Sequence, residues 1–200
     1  FIDCMVEDGG PVTSRKGVNL PGTTIDLPAI GEKYKQALDH ALKSGADWVA
    51  VSYVRNAEDL RPAIEASIAA GLHTPIIAKI EHPAALENLH SILDVADGVM
   101  VARGDLGVEI PLEQVPLAQQ RIIDAGLMRG MVVIVATQML ESMTLNPRPT
   151  RAEVSDVSTA IRHGGTAVML SGETASGNHP VASVETLSLI HISEPTRRLN

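Results

Sequence analysis

The chain has 200 residues, 44% hydrophobic and 20% charged, which excludes a disordered or collagen-like polypeptide. Sixteen Lys and Arg against 24 Asp and Glu leave a net charge of −8, which repels a nucleic-acid backbone. The longest apolar runs, such as Met131 to Ala136, fall far short of the ~18 residues that cross a bilayer, so neither nucleic acid nor membrane is expected as a partner.

A single cysteine, Cys4, rules out an intrachain disulfide, and no signal-peptide pattern opens the chain, so a reducing cytoplasm fits best. The missing start methionine and the abrupt Phe1-Ile2-Asp3-Cys4 opening predict that residues ahead of Phe1 have been lost. Only 2% of residues are aromatic, so the core must be built from Val, Ile, Leu, Met and Ala.

Residues 1 to about 22 read as hairpin and loop, with Gly9-Gly10-Pro11 and Asn19-Leu20-Pro21-Gly22 bracketing a polar stretch that holds Arg15 and Lys16. A helical pattern follows from Glu32 to Ser44, then β-rich runs over 48–52, 75–80, 98–102, 132–137 and 166–171. Between them, 58–70 and 113–128 carry apolar residues at helical spacing. Thr150-Arg151-Ala152-Glu153 has the form of a capping box, and Pro147 and Pro149 stop whatever precedes it, so a helix is expected from about residue 151. The five strands are near-continuously apolar, as strands buried on both faces of a parallel sheet are. An α/β fold follows, either an open doubly wound sheet or a closed barrel, which the pattern separates only weakly.

Each strand ends in polar residues that burial does not require: Ser52; Lys79 and Glu81; Arg103 and Asp105; Thr137; Ser171 and Glu173. Ligands bind at the C-terminal strand ends of parallel α/β folds, and five consecutive hits favour a barrel-top site. Lys79 and Glu81 stand two apart on an extended segment and project from one face, which suits either a shared site or a plain ion pair closing the strand. Asp105 follows Arg103-Gly104 directly after a strand, and with Glu81 supplies the two hard oxygen ligands typical of a protein Mg²⁺ site. Amides at Gly104 and Asp105, if they open a short helix, would hold a carboxylate. The methionines read as core filler, and the seven histidines show no metal-ligand spacing.

Six blocks in register resemble the pyruvate kinase family: Ser14 to Gly22 (SRKGVNLPG), Ile77 to Glu81 (IAKIE), Met100 to Ile110 (MVARGDLGVEI), Ala136 to Met143 (ATQMLESM), Pro149 to Val157 (PTRAEVSDV) and Val168 to Ala175 (VMLSGETA). The resemblance implies a partial (β/α)8 TIM barrel, about five of eight strands. Residues 1–22 would end a small β-rich lid domain, and 23–186 would form strands 4 to 8 of the barrel. It implies phosphoryl transfer from phosphoenolpyruvate to ADP, giving pyruvate and ATP in the last step of glycolysis, by a full-length protein that is a homotetramer. This chain alone is expected to be inactive.

By the same resemblance Lys79 neutralises the phosphoryl group in flight, and Glu81 and Asp105 hold Mg²⁺, or Mn²⁺. Gly104, Asp105 and Thr137 hold phosphoenolpyruvate or pyruvate, with Arg103 and Ser171 beside them. Thr137 directs a proton to the enolate, and Lys16 contacts the nucleotide. The K⁺ that many members use would be bound by strands outside this chain. His82 stands where the family usually has Asn, just past the metal ligand, and Tyr34 where it usually has Asp. A metal-dependent lyase or aldolase acting on pyruvate enolate is the alternative reading, against which the Ser14–Gly22 block argues.

The resemblance stops at about Thr186. Residues 187–200, with helix-breaking Pro195, resemble the translation of a transposase-type sequencing adapter and are expected to pack poorly.

Overall fold

The computed structural model describes residues 3–14, 17–21, 23 and 29–193. In chain order the elements are α1 (Glu32–Lys43), β1 (Val49–Val51), α2 (Arg61–Ala69), β2 (Ile76–Ile80), α3 (Pro83–Glu87), α4 (Leu89–Leu93), β3 (Gly98–Ala102), α5 (Arg103–Glu109), α6 (Val115–Leu127), β4 (Val132–Ala136), α7 (Arg151–Arg162), β5 (Ala167–Met169), α8 (Gly172–Ala175) and α9 (Pro180–Ser193).

The five strands form one sheet in the order β1-β2-β3-β4-β5, with every pair parallel. A doubly wound sheet reverses its strand order partway, whereas this one advances without reversal. With the usual right-handed crossovers, the crossover helices then fall on the same face. Among the described residues β1 pairs only with β2 and β5 only with β4, so the sheet is an unclosed arc of a barrel.

Two separate apolar clusters explain why the strands read as continuous hydrophobic runs. On the helix side Ile76, Ala78, Ile80, Val99, Val101, Val133 and Val135 join Leu60, Leu89, Ile92, Ile122 and Ile161 in one core. On the other face Ile77, Met100 and Ala136 form a second cluster, with Ile134 and Met169 against it. Successive strand residues alternate between the two, so both faces must be apolar. Gly126 of α6 permits close approach, since a Cβ there would lie 2.7 Å from Val133 Cγ2 and 3.1 Å from Val99 Cγ1.

Several boundaries differ from the sequence expectation. The helix expected over 58–70 splits into a 3₁₀ turn at Ala57–Leu60 and α2, with a proline in the first turn of α2. The crossover from β2 to β3 is two short helices meeting at Asn88, whose Nδ2 donates to Arg55 O (3.0 Å). β4 ends at Ala136 rather than Thr137 because Thr137 takes φ +67°. The capping box at Thr150 and Glu153 is formed, and α7 begins at Arg151.

The described residues before position 24 form no strand and are exposed, in place of the expected hairpin. A short polar ribbon has too little apolar surface to hold itself without a partner sheet. At the other end α9 runs past Thr186 to Ser193, with Ile190 buried at 9% exposure, Leu187 against the core, and Leu189 and Ile192 exposed. Thus Leu187 and Ile190, three apart on one helical face, do pack.

Candidate active site

The parallel register brings the C-terminal strand ends to one level. Val51 pairs with Ala78, so the next residues, Ser52 and Lys79, stand side by side, and Lys79 Nζ donates to Ser52 Oγ at 2.7 Å. Two residues beyond Lys79 on the same face, Glu81 accepts the lysine at Oε1 (2.6 Å) and the Tyr53 backbone N–H at Oε2 (2.6 Å). Glu81 is 1% exposed. A carboxylate that deep is costly unless both oxygens are hydrogen-bonded, and Lys79 of β2 and Tyr53 just past β1 satisfy them jointly.

Ile80 pairs with Val101, so Glu81 reaches the level where β3 runs straight into α5. Asp105 lies in the first turn of α5, half-buried, its carboxylate with no hydrogen bond or ion pair among the described residues. Burial, then the carboxylates of Asp105, Glu81 and Glu109, push the Tyr53 phenol above its ordinary range. Glu109 Oε2 is itself buried without a partner among the described residues.

At the next strand end, Thr137 and Gln138 both adopt left-handed backbone, φ +67° and +51°, and Tyr53 does so at +55°. None is glycine, and for β-branched Thr137 this is a strained conformation. Strain gathered at a few non-glycine residues marks functional sites. Thr137 Oγ1 accepts the Gly104 N–H at 2.7 Å and donates to Ala136 O at 2.6 Å, joining β4 to the start of α5.

Arg103, 7% exposed, directs its guanidinium to Thr137 O, Gln138 O, Met139 Sδ and Asp156 Oδ2. Ser171 lies half-buried past β5, its N–H on Glu173 Oε2 at 2.8 Å. The structure therefore brings Lys79 and Glu81 together and joins Gly104 to Thr137. Lys16 lies outside the described residues.

Sequence reasoning missed Tyr53, whose signal was a rare aromatic directly after a strand-end serine. It missed Asp156 and the buried role of Glu173 as well, because their partners lie 53 and 33 residues away.

Carboxylate oxygens suit a hard divalent cation: the Asp105 carboxylate carries no partner among the described residues, whereas the Glu81 oxygens are held by Lys79 and the Tyr53 N–H. Among the described residues no group of three or more His, Cys, Asp or Glu gathers in metal-binding geometry. No helix among the described residues is long and apolar enough to cross a membrane.

Residues 1–184 match the family model "pyruvate kinase, barrel domain". The chain is similar to the pyruvate kinase of Mycobacterium intracellulare, 51% identical over 189 residues that cover 94% of this chain and 40% of that protein. Against the pyruvate kinase of Methylorubrum extorquens it is 52% identical over 185 residues, 92% of this chain and 38% of the relative. Against that of Geobacillus stearothermophilus it is 52% identical over 188 residues, 92% and 32%. The chain thus spans about a third to two fifths of the length of these relatives.

Proposed function

As this chain belongs to the pyruvate kinase family, we propose that the full-length protein transfers the phosphoryl group of phosphoenolpyruvate to ADP, giving pyruvate and ATP. The observation that carries the reading is the ion pair of half-buried Lys79 with buried Glu81, 2.6 Å apart, with the half-buried Asp105 at the next strand end. Glu81 and Asp105 would hold the divalent cation, Mg²⁺ or Mn²⁺. When bound, it supplies positive charge opposite the phosphoryl and enolate oxygens.

Phosphoryl transfer passes through a loose state with charge spread over the equatorial oxygens, so the protein's task is electrostatic stabilisation and positioning. Lys79, steadied by Ser52 and Glu81, is the cation this chain aims at that charge. Gly104 and Asp105 lie in the first turn of α5, where the helix dipole and the Asp105 amide would favour a substrate carboxylate, the Gly104 amide being engaged by Thr137 Oγ1. Thr137 directs the proton that the enolate carbon receives, its hydroxyl set by Gly104 and Ala136. Lys16, in the stretch resembling the lid, contacts the nucleotide. Cytoplasmic location follows from the substrates.

The test is Lys79→Met in the full-length protein. Phosphoryl transfer falls by about three orders of magnitude, while enolisation of pyruvate, which needs mainly the cation, falls far less. Equal losses in both would overturn the role of Lys79. The 200-residue chain alone, with an unclosed sheet, is expected to show no turnover above background.

A further inference from the structure

We propose that Arg103 and Glu173 are positioning residues that clamp the Thr137–Leu140 segment from opposite sides, and that this clamp sets the Thr137 hydroxyl. The inference rests on the reading of Thr137 as the proton-directing residue.

Past β4 the chain leaves the sheet in two consecutive left-handed residues, neither of them glycine, so something outside the segment must hold it there. Two side chains do so, one from each flanking strand end. From the β3 side, Arg103 donates to Thr137 O through Nη2 (2.8 Å) and Nε (3.2 Å), to Gln138 O (2.9 Å) and to Met139 Sδ (2.9 Å). Its remaining nitrogen reaches Asp156 Oδ2 at 2.6 Å and Gln119 Oε1 at 3.5 Å.

From the β5 side, fully buried Glu173 accepts the Leu140 N–H at Oε1 (3.1 Å) and the Ser171 N–H at Oε2 (2.8 Å). The charges match the polarity of the backbone: a cation takes two carbonyls, and an anion takes an amide two residues on. Buried charges are costly unless fully hydrogen-bonded, and both of these are engaged by the segment they hold. With every edge of its guanidinium occupied, Arg103 works through Thr137 rather than by touching substrate. Thr137 Oγ1 then meets Gly104 N at 2.7 Å, which ties the hydroxyl to the turn carrying Asp105.

The test is a double-mutant cycle in the full-length protein with Glu173→Gln and Thr137→Val, reading pyruvate proton exchange, the KM for phosphoenolpyruvate and thermal stability. Glutamine has the shape of glutamate but turns an N–H donor toward one of two N–H donors. Glu173→Gln is expected to lower proton exchange at least tenfold, with less than a threefold change in KM. In the Thr137→Val background it should add less than twofold, because its target is already gone. Full additivity, or a tenfold rise in KM, overturns the clamp. Should Glu173→Gln fail to fold, Arg103→Lys, which keeps the charge and loses the fork, runs the same cycle with the same criteria. If Thr137→Val leaves proton exchange intact, the reading of Thr137 falls. The clamp is then judged by the Thr137 φ in a crystal structure of either variant: a shift out of the left-handed region supports it, and an unchanged angle sinks it.

Discussion

Ile80 and Glu81 are adjacent in the chain and almost equally buried, at 0% and 1% exposure. Ile80 turns to the helix-side core, where its neighbours are apolar and its stabilisation comes from surface removed from water. Glu81 lies one residue past the end of β2, in a pocket that tolerates its charge only because Lys79 and the Tyr53 amide meet both oxygens. Burial in the body of the sheet is self-sufficient, whereas burial at the rim depends on partners from other strands. The same contrast holds for backbone: β4 is regular from Val132 to Ala136, and the next two residues are left-handed.

The sharpest way to break this contrast is to truncate both neighbours in the full-length protein. Glu81→Ala should lower phosphoryl transfer by about three orders of magnitude or more at fixed Mg²⁺, since it leaves Lys79 with Ser52 alone and removes one of the two carboxylates proposed to hold the cation. Ile80→Ala should cost about 2–5 kcal/mol in denaturant unfolding while leaving kcat at saturating substrate within a few-fold. If both variants lose activity in proportion to stability, rim and core are one unit.

Asp105→Asn probes the rim where it is half-exposed. A Mg²⁺ titration should shift by roughly tenfold or more, with unfolding changed by no more than about 0.5 kcal/mol.

Glu153 offers a smaller effect, away from the reacting groups. Burial raises its pKa, but hydrogen bonds from the Ser142 hydroxyl and N–H and from the Thr150 N–H and hydroxyl outweigh it and hold the carboxyl below its ordinary 4.5. A depressed folded-state pKa means that the unfolded chain binds the proton more readily. The stabilisation is therefore complete above the ordinary value and is lost as pH falls through the folded one. Glu153→Gln should cost about 1 kcal/mol at pH 7 and flatten the acid limb of a stability–pH curve. An unchanged limb would place the acid sensitivity elsewhere.

The smallest effect expected is at Gln138, exposed and at φ +51°. Gln138→Gly should leave stability unchanged or raise it by up to about 1 kcal/mol, the opposite sign to a glycine placed in β4. Destabilisation would show that the rim backbone carries no strain to relieve.

Much of this molecule follows from short-range pattern. Continuous apolar runs mark the strands, 3.6-residue spacing marks α1 and α6, the Thr150–Glu153 box marks the start of α7, and two-residue spacing puts Lys79 and Glu81 on one face. Each of these is decided within a few residues, by hydrogen bonds and side-chain directions that repeat locally. The unclosed barrel order was decided only by strand pairing, since doubly wound and barrel sheets share the same apolar runs. Three further features needed the assembled sheet: Tyr53 N–H on Glu81, Arg103 and Glu173 about residues 137–140, and left-handed Thr137 and Gln138 with no glycine to announce them. The first two join groups from different βα units, 28 to 35 residues apart, and the third, a conformation costly on its own, persists only where such distant partners hold it.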